Sequence, residues 1–216
     1  MILIIASAKH MRIASFLFVI LALPACRQEP AKQPVVEVSG VNDFVIELGK
    51  KVGPITGTST LTDLQAIYGS DKIVLRNIYI AEGEEQEGAV VFPESSNELE
   101  IGWDIPANTG HPAFVRISRI GGAWATTEGV KVQLSLDELQ KLNGKPFKFY
   151  GFGWDYGGQV TDWNGGRFKP TLGVVLGPAV ENLPEEFLGE VILNSDDPKV
   201  RALDLRIDAI ILTFDK

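Results

Sequence analysis

One short pattern occurs twice in this chain. It runs Thr60-Leu61-Thr62-Asp63-Leu64-Gln65-Ala66-Ile67-Tyr68-Gly69 and again Ser135-Leu136-Asp137-Glu138-Leu139-Gln140-Lys141-Leu142-Asn143-Gly144. In each copy a hydroxyl residue stands where it can accept from a free helix-start amide. Three residues on, an acid (Asp63 or Glu138) can reach back to the cap, as in a capping box. Leu61, Leu64 and Ile67, like Leu136, Leu139 and Leu142, lay one apolar stripe along each segment. Gly69 and Gly144 then supply the residue that leaves a helix most cheaply. Helices this short are marginal alone, so each must lean on a larger apolar surface, and a β-sheet is the expected one.

The rest of the chain reads as strands. Val41 to Leu48 alternates apolar and polar, Ile73 to Ile80 and Ala89 to Phe92 flank the acid-rich stretch Glu82 to Gly88, and Leu99 to Trp103 and Phe114 to Ile120 follow. After the second helix come Phe147 to Trp154, Gln159 to Trp163, Leu172 to Leu176 and Leu203 to Phe214, with one helical turn at Pro184 to Leu188. Helix then strands, repeated, predicts an α+β fold: a duplicated unit of a short helix packed on an antiparallel sheet. The first unit is expected over 41–127 and the second over 128–216. Chance convergence of two well-capped helices is the alternative.

The N-terminus carries an address. Met11-Arg12 followed by the apolar run Ile13 to Leu23 has the form of a secretory signal, and the run is too short to cross a bilayer, which takes about 20 residues. Met1 and Met11 are both possible starts. The run ends in Leu23-Pro24-Ala25-Cys26, which resembles the lipobox of bacterial lipoproteins. The resemblance implies removal of residues 1–25, acylation of Cys26 with palmitate among the chains, and a membrane attachment through that lipid. Arg27 following Cys26 implies by the same resemblance the outer membrane, facing the periplasm. Residues 26–40, with Pro30 and Pro34, read as a tether.

Charge excludes one class of partner. The full chain has net charge −8, and loss of Lys9 and Arg12 with the leader leaves it two charges more negative. Nothing in it marks a nucleic-acid footprint. The helix pattern also resembles that of the tandem-repeat β-lactamase inhibitor proteins and of envelope lipoproteins related to the small barrel-assembly subunit. That resemblance implies a role in binding protein, and it covers Gly53 to Gly69 and Gly129 to Pro146.

Few residues suit chemistry. Cys26 is the single cysteine, and His111 is the one histidine after the leader, so zinc and iron–sulfur sites lack ligands and no cofactor or metal is expected. Asp104, Asp155 and Asp162 lie near aromatics, but nothing in the sequence fixes a separation for paired carboxylates. The Glu82 to Glu87 acids lack the order of a calcium loop and read as solvated. Gly151-Phe152-Gly153-Trp154-Asp155-Tyr156-Gly157-Gly158 has glycines at phosphate-loop spacing, yet it is aromatic and no helix follows it. Its aromatics suggest a candidate binding surface of Trp154, Asp155, Tyr156 and Trp163, able to anchor a protein or stack on a sugar. The same rings can instead pack beneath the second helix, with Asp155 and Asp162 bonding turn amides. The expectation is a cell-envelope lipoprotein that works as a non-catalytic protein-binding module, an assembly factor or an inhibitor. The alternative is a protein that binds or hydrolyses carbohydrate or peptidoglycan.

Overall fold

Strand β1 (Val45–Glu47) pairs with β2 (Lys51–Val52), and β2 pairs in turn with β3 (Ile55–Thr56), through short turns. Helix α1 (Leu61–Tyr68) follows, then the long hairpin β4 (Ile73–Ala81) and β5 (Glu84–Val91), then β6 (Leu99–Trp103), β7 (Pro112–Ile117) and β8 (Ala125–Thr126). After helix α2 (Leu136–Asn143) come β9 (Lys148–Tyr150), β10 (Val160–Asp162), β11 (Leu172–Gly177) and β12 (Ile192–Asn194), the short helix α3 (Pro198–Arg201) and β13 (Arg206–Leu212). This is a computed structural model, and it describes residues 42–105, 109–180 and 182–215. The leader, the lipobox with Cys26 and the whole tether lie outside the described residues. Among these residues no helix is long and apolar enough to cross a membrane.

Both helices form as their sequences predict. Thr60 and Ser135 accept from the amides of Asp63 and Glu138, whose carboxylates accept in return from the cap amides. Each capping box is therefore complete. Leu64 and Tyr68 are buried on α1, and Leu136, Leu139 and Asn143 on α2. The ends differ: Gly144 is left-handed at φ 78° and ψ 0°, whereas Gly69, at φ 89° and ψ 140°, turns the chain out into a 3-10 turn at Ser70–Lys72.

The duplicated unit is not what the chain builds. Among the described residues strand is the dominant structure, 38% against 15% helix, arranged in three unlike sheets. The first four strands after α1 join a six-stranded sheet of order β11-β13-β7-β6-β5-β4, while β9, which follows α2, lies at the centre of a separate three-stranded sheet, β10-β9-β12. A third sheet, β3-β2-β1-β8, closes through a parallel β1–β8 pair. The main sheet thus draws β4 to β7 from one side of α2 and β11 and β13 from the other. The two helices share a local recipe and not a common setting.

Register explains the core. Ala89, Ile101, Val115, Leu212 and Leu172 stand opposite one another across β5, β6, β7, β13 and β11. All are at most 2% exposed, so this face is the buried one. The opposed set on the other face includes Glu100 and Arg116, paired at 2.8 Å. Beside them Glu98, 5% exposed, takes hydrogen bonds from Arg119, Arg76 and the Glu94 amide. Oppositely charged neighbours satisfy a sheet face that apolar cover leaves partly open.

The acid-rich stretch is a hairpin and not a loop, with Glu82, Glu84, Glu85 and Glu87 all exposed. Ala81 pairs with Glu84, and the two turn residues Glu82 and Gly83 both have positive φ, at 53° and 77°. Two left-handed residues make the turn that matches strand twist. The hairpin also bends out of the sheet. Arg116 on β7 donates to the Tyr79 carbonyl on β4, although β5 and β6 lie between these strands in the sheet order. Three strand spacings come to about 14 Å, so the β4–β5 tip must curl back over the charged face.

Candidate functional site

The aromatic turn between β9 and β10 is held from several sides. Gly151 donates to the Val191 carbonyl, Phe152 to Phe187, and Gly189 back to Phe152. Gly157 donates to the Trp154 carbonyl at 2.9 Å, closing the tight turn that carries the rings. Glycine is required here for close approach. A Cβ on Gly158, which has φ +76°, would collide with the Leu176 carbonyl, and one on Gly151 would stand 2.6 Å from the Val191 side chain. The spacing that looks like a phosphate loop therefore serves the packing of this turn on β11 and on the segment before β12.

Three half-buried rings stand together at the turn. Tyr150 and Trp154 meet with centroids 5.0 Å apart at 77°, and Trp154 and Tyr156 at 5.3 Å and 67°. The Trp154 indole N–H donates to the Gly151 carbonyl at 3.0 Å, which fixes the ring and satisfies its one donor. Asp155 is exposed at the apex. The curled hairpin tip docks on this turn: Tyr79 Oη donates to Asp155 at 3.0 Å and Tyr156 Oη donates to Glu82 at 3.1 Å. Both phenols are held above their ordinary range. For Tyr79 desolvation comes first and the Asp155 bond second, and for Tyr156 the Glu82 bond is the leading cause. They remain proton donors at neutral pH.

Of the residues singled out in the sequence, Trp154, Asp155 and Tyr156 come together. Trp163 does not join them. It is 7% exposed, donates to the Leu172 carbonyl at 3.1 Å and packs on Phe147 and Phe168, so it belongs to the core under α2. Asp162 accepts from the Asn164 amide, as a turn residue does. Asp104 accepts from the His111 amide at 2.7 Å, in a different part of the molecule. His111 is exposed, its Nδ1 3.3 Å from the Ser59 carbonyl, at a cavity of about 810 Å³ that also takes in Lys50, Thr56, Thr58 and Asp215. Among the described residues no group of three or more His, Cys, Asp or Glu side chains is placed to hold a metal ion.

Sequence reasoning missed Tyr79, Glu82 and Tyr150, which complete the patch, and Asp208 beside it. Trp154 also lines a second face of this region, an open cleft of about 620 Å³ shared with Phe152, Val180, Leu183, Leu188 and Asp208. The signal for Asp208 is visible: a single acid interrupts the apolar run of the last strand. Comparison of the chain with protein-family models, with curated proteins and with solved structures finds no significant match.

Proposed function

We propose that this protein is a cell-envelope lipoprotein, anchored through Cys26, that acts as a non-catalytic protein-binding module through the aromatic turn at 154–156. The anchor rests on the Leu23–Cys26 motif. The binding role rests on one observation, the edge-to-face packing of Tyr150, Trp154 and Tyr156. Half-exposed rings with polar tips, fixed in place before a partner arrives, are the composition and rigidity of interface hot spots. A flat sugar-binding platform is built from rings that share a plane, and Trp154 is turned 77° from Tyr150 and 67° from Tyr156. The carbohydrate reading is the weaker one for that reason.

The test is capture of partners from the protein's own envelope by the lipidated full chain, compared with Trp154→Ala and Tyr156→Ala. Loss of the captured partner with an unchanged unfolding midpoint is the expected result. Equal capture by parent and both variants would remove the turn from the binding surface. For the anchor, radiolabelled palmitate should enter the parent chain and not Cys26→Ala.

A further inference from the structure

We infer that the cleft beside Trp154 receives a lysine or arginine side chain, carried between apolar residues on a partner protein, with Asp208 as its counter-charge. This rests on the protein-binding reading above and names the chemistry of the partner.

The carboxylate is placed there by a break in the sheet. Val175 pairs with Ala209 but the next residue, Leu176, pairs with Ile207, so Asp208 is the extra residue of a β-bulge in β13. Bulges turn a side chain away from the alternation of its strand. The Asp208 carboxylate lies over β11 at Gly177, where any Cβ would collide with it. Among the described residues no cation and no hydrogen-bond donor reaches this carboxylate, and desolvation alone holds its pKa above the usual range. Asp208 is itself exposed, so among the mainly apolar side chains that line the cleft it offers an accessible negative charge.

The surroundings select the occupant. Phe152, Trp154, Leu183 and Leu188 line the cleft, and a fixed indole face favours a cation as well as a methylene stem. The cleft wall itself is apolar at Val180 and Leu188, and Val191 and Ile192 add exposed apolar side chains further along the chain. Val180 is 49% exposed, Leu188 42%, Val191 40% and Ile192 48%, all on one stretch of chain. A free amine would leave this rim uncovered, whereas a peptide with apolar residues on either side of its cation covers both. The negative chain would also favour the approach of a basic partner.

The probes are the tripeptides acetyl-Leu-Lys-Leu-amide and acetyl-Leu-Gln-Leu-amide, titrated into the full chain in nonionic detergent and followed by NMR. The lysine peptide should give saturable shifts at the Trp154 indole and the Leu183 and Leu188 methyls, with at least tenfold tighter binding than the glutamine peptide. Asp208→Asn should erase that difference while leaving the glutamine peptide unchanged, and Leu188→Ser should weaken both alike. Equal affinity for the two peptides, shifts centred elsewhere, or a lysine preference that survives in Asp208→Asn would overturn the assignment. Envelope capture separates the two proposals. If Tyr156→Ala loses the partner and Asp208→Asn keeps it, the protein-binding reading stands and the cleft assignment falls. If neither variant loses it, both fall.

Discussion

Tyr79 Oη donates to Asp155 Oδ1 at 3.0 Å, and the adjoining pair runs the opposite way, with Tyr156 Oη donating to Glu82 at 3.1 Å. One donor and one acceptor come from each side, so the hairpin tip and the aromatic turn are clasped in both directions. Each bond is solvent-exposed, so water competes for both phenols. Tyr79→Phe and Tyr156→Phe should each leave the urea midpoint nearly unchanged. The larger effect should be local. Amide exchange across Glu84 to Glu87 should accelerate in either variant, and in the double variant by more than the product of the singles, because either phenol bond still restrains the tip when the other is cut, in addition to the Arg116 bond to the Tyr79 carbonyl.

Two glycines with nearly the same φ should respond very differently to alanine. Gly83 (φ +77°) has open space within 4 Å of where a Cβ would stand, so Gly83→Ala should cost only the left-handed backbone term of about 1–2 kcal/mol. Gly158 (φ +76°) adds a collision with the Leu176 carbonyl, and Gly158→Ala should cost at least about 3 kcal/mol or force the turn off β11. Urea unfolding of the two variants measures the difference. Equal costs would mean that the turn moves freely over β11.

Glu98 should make the fold acid-sensitive. Burial works to raise its pKa, but the Glu94 amide, Arg119 and Arg76 outweigh it and hold the group below its ordinary value of 4.5. The folded state therefore binds this proton less tightly than the unfolded chain does. The stabilisation is fully present above pH 4.5 and is lost as pH falls through the lower folded value. Glu98→Gln should cost about 1–2 kcal/mol at pH 7, discounted for half-exposed arginines. The deficit should shrink in acid, as unfolding curves from about pH 7 down to about pH 2.5 would record.

The helix caps should be independent. Thr60→Ala and Ser135→Ala each remove one completed capping box, at about 1 kcal/mol apiece. The helices sit in unlike settings, so the double variant should lose the sum within about 0.5 kcal/mol in thermal or urea unfolding. A marked departure from additivity would show that α1 and α2 are coupled through the core.

What could be read from the sequence was what neighbours along the chain determine. Capping residues and leucine stripes act within one or two turns, so both helices and most strands were legible. The pairing of β13 between β11 and β7 was not, since it joins segments from either side of α2, and no local pattern states which strand will be its neighbour. Two like helices therefore suggested two like halves, and the shared sheet corrects that. The Glu82-Gly83 turn was hidden because glutamate, unlike asparagine, carries no preference for positive φ. Trp154 and Trp163 were also indistinguishable in sequence, each beside glycines and an aspartate. Only the packing of Phe147 and Phe168 around Trp163 assigns one ring to the interior and leaves the other at the surface.

The position of β13 has a consequence for biogenesis. It is the keystone of the main sheet, bonded to β7 on one flank and to β11 on the other, yet it is the most C-terminal of the described strands. During synthesis β7 therefore waits with an open flank while the whole α2-to-α3 region is being made. A nascent chain arrested before Arg206 would present two raw edges to its surroundings, and a chaperone or an export system that delays collapse would act on this interval.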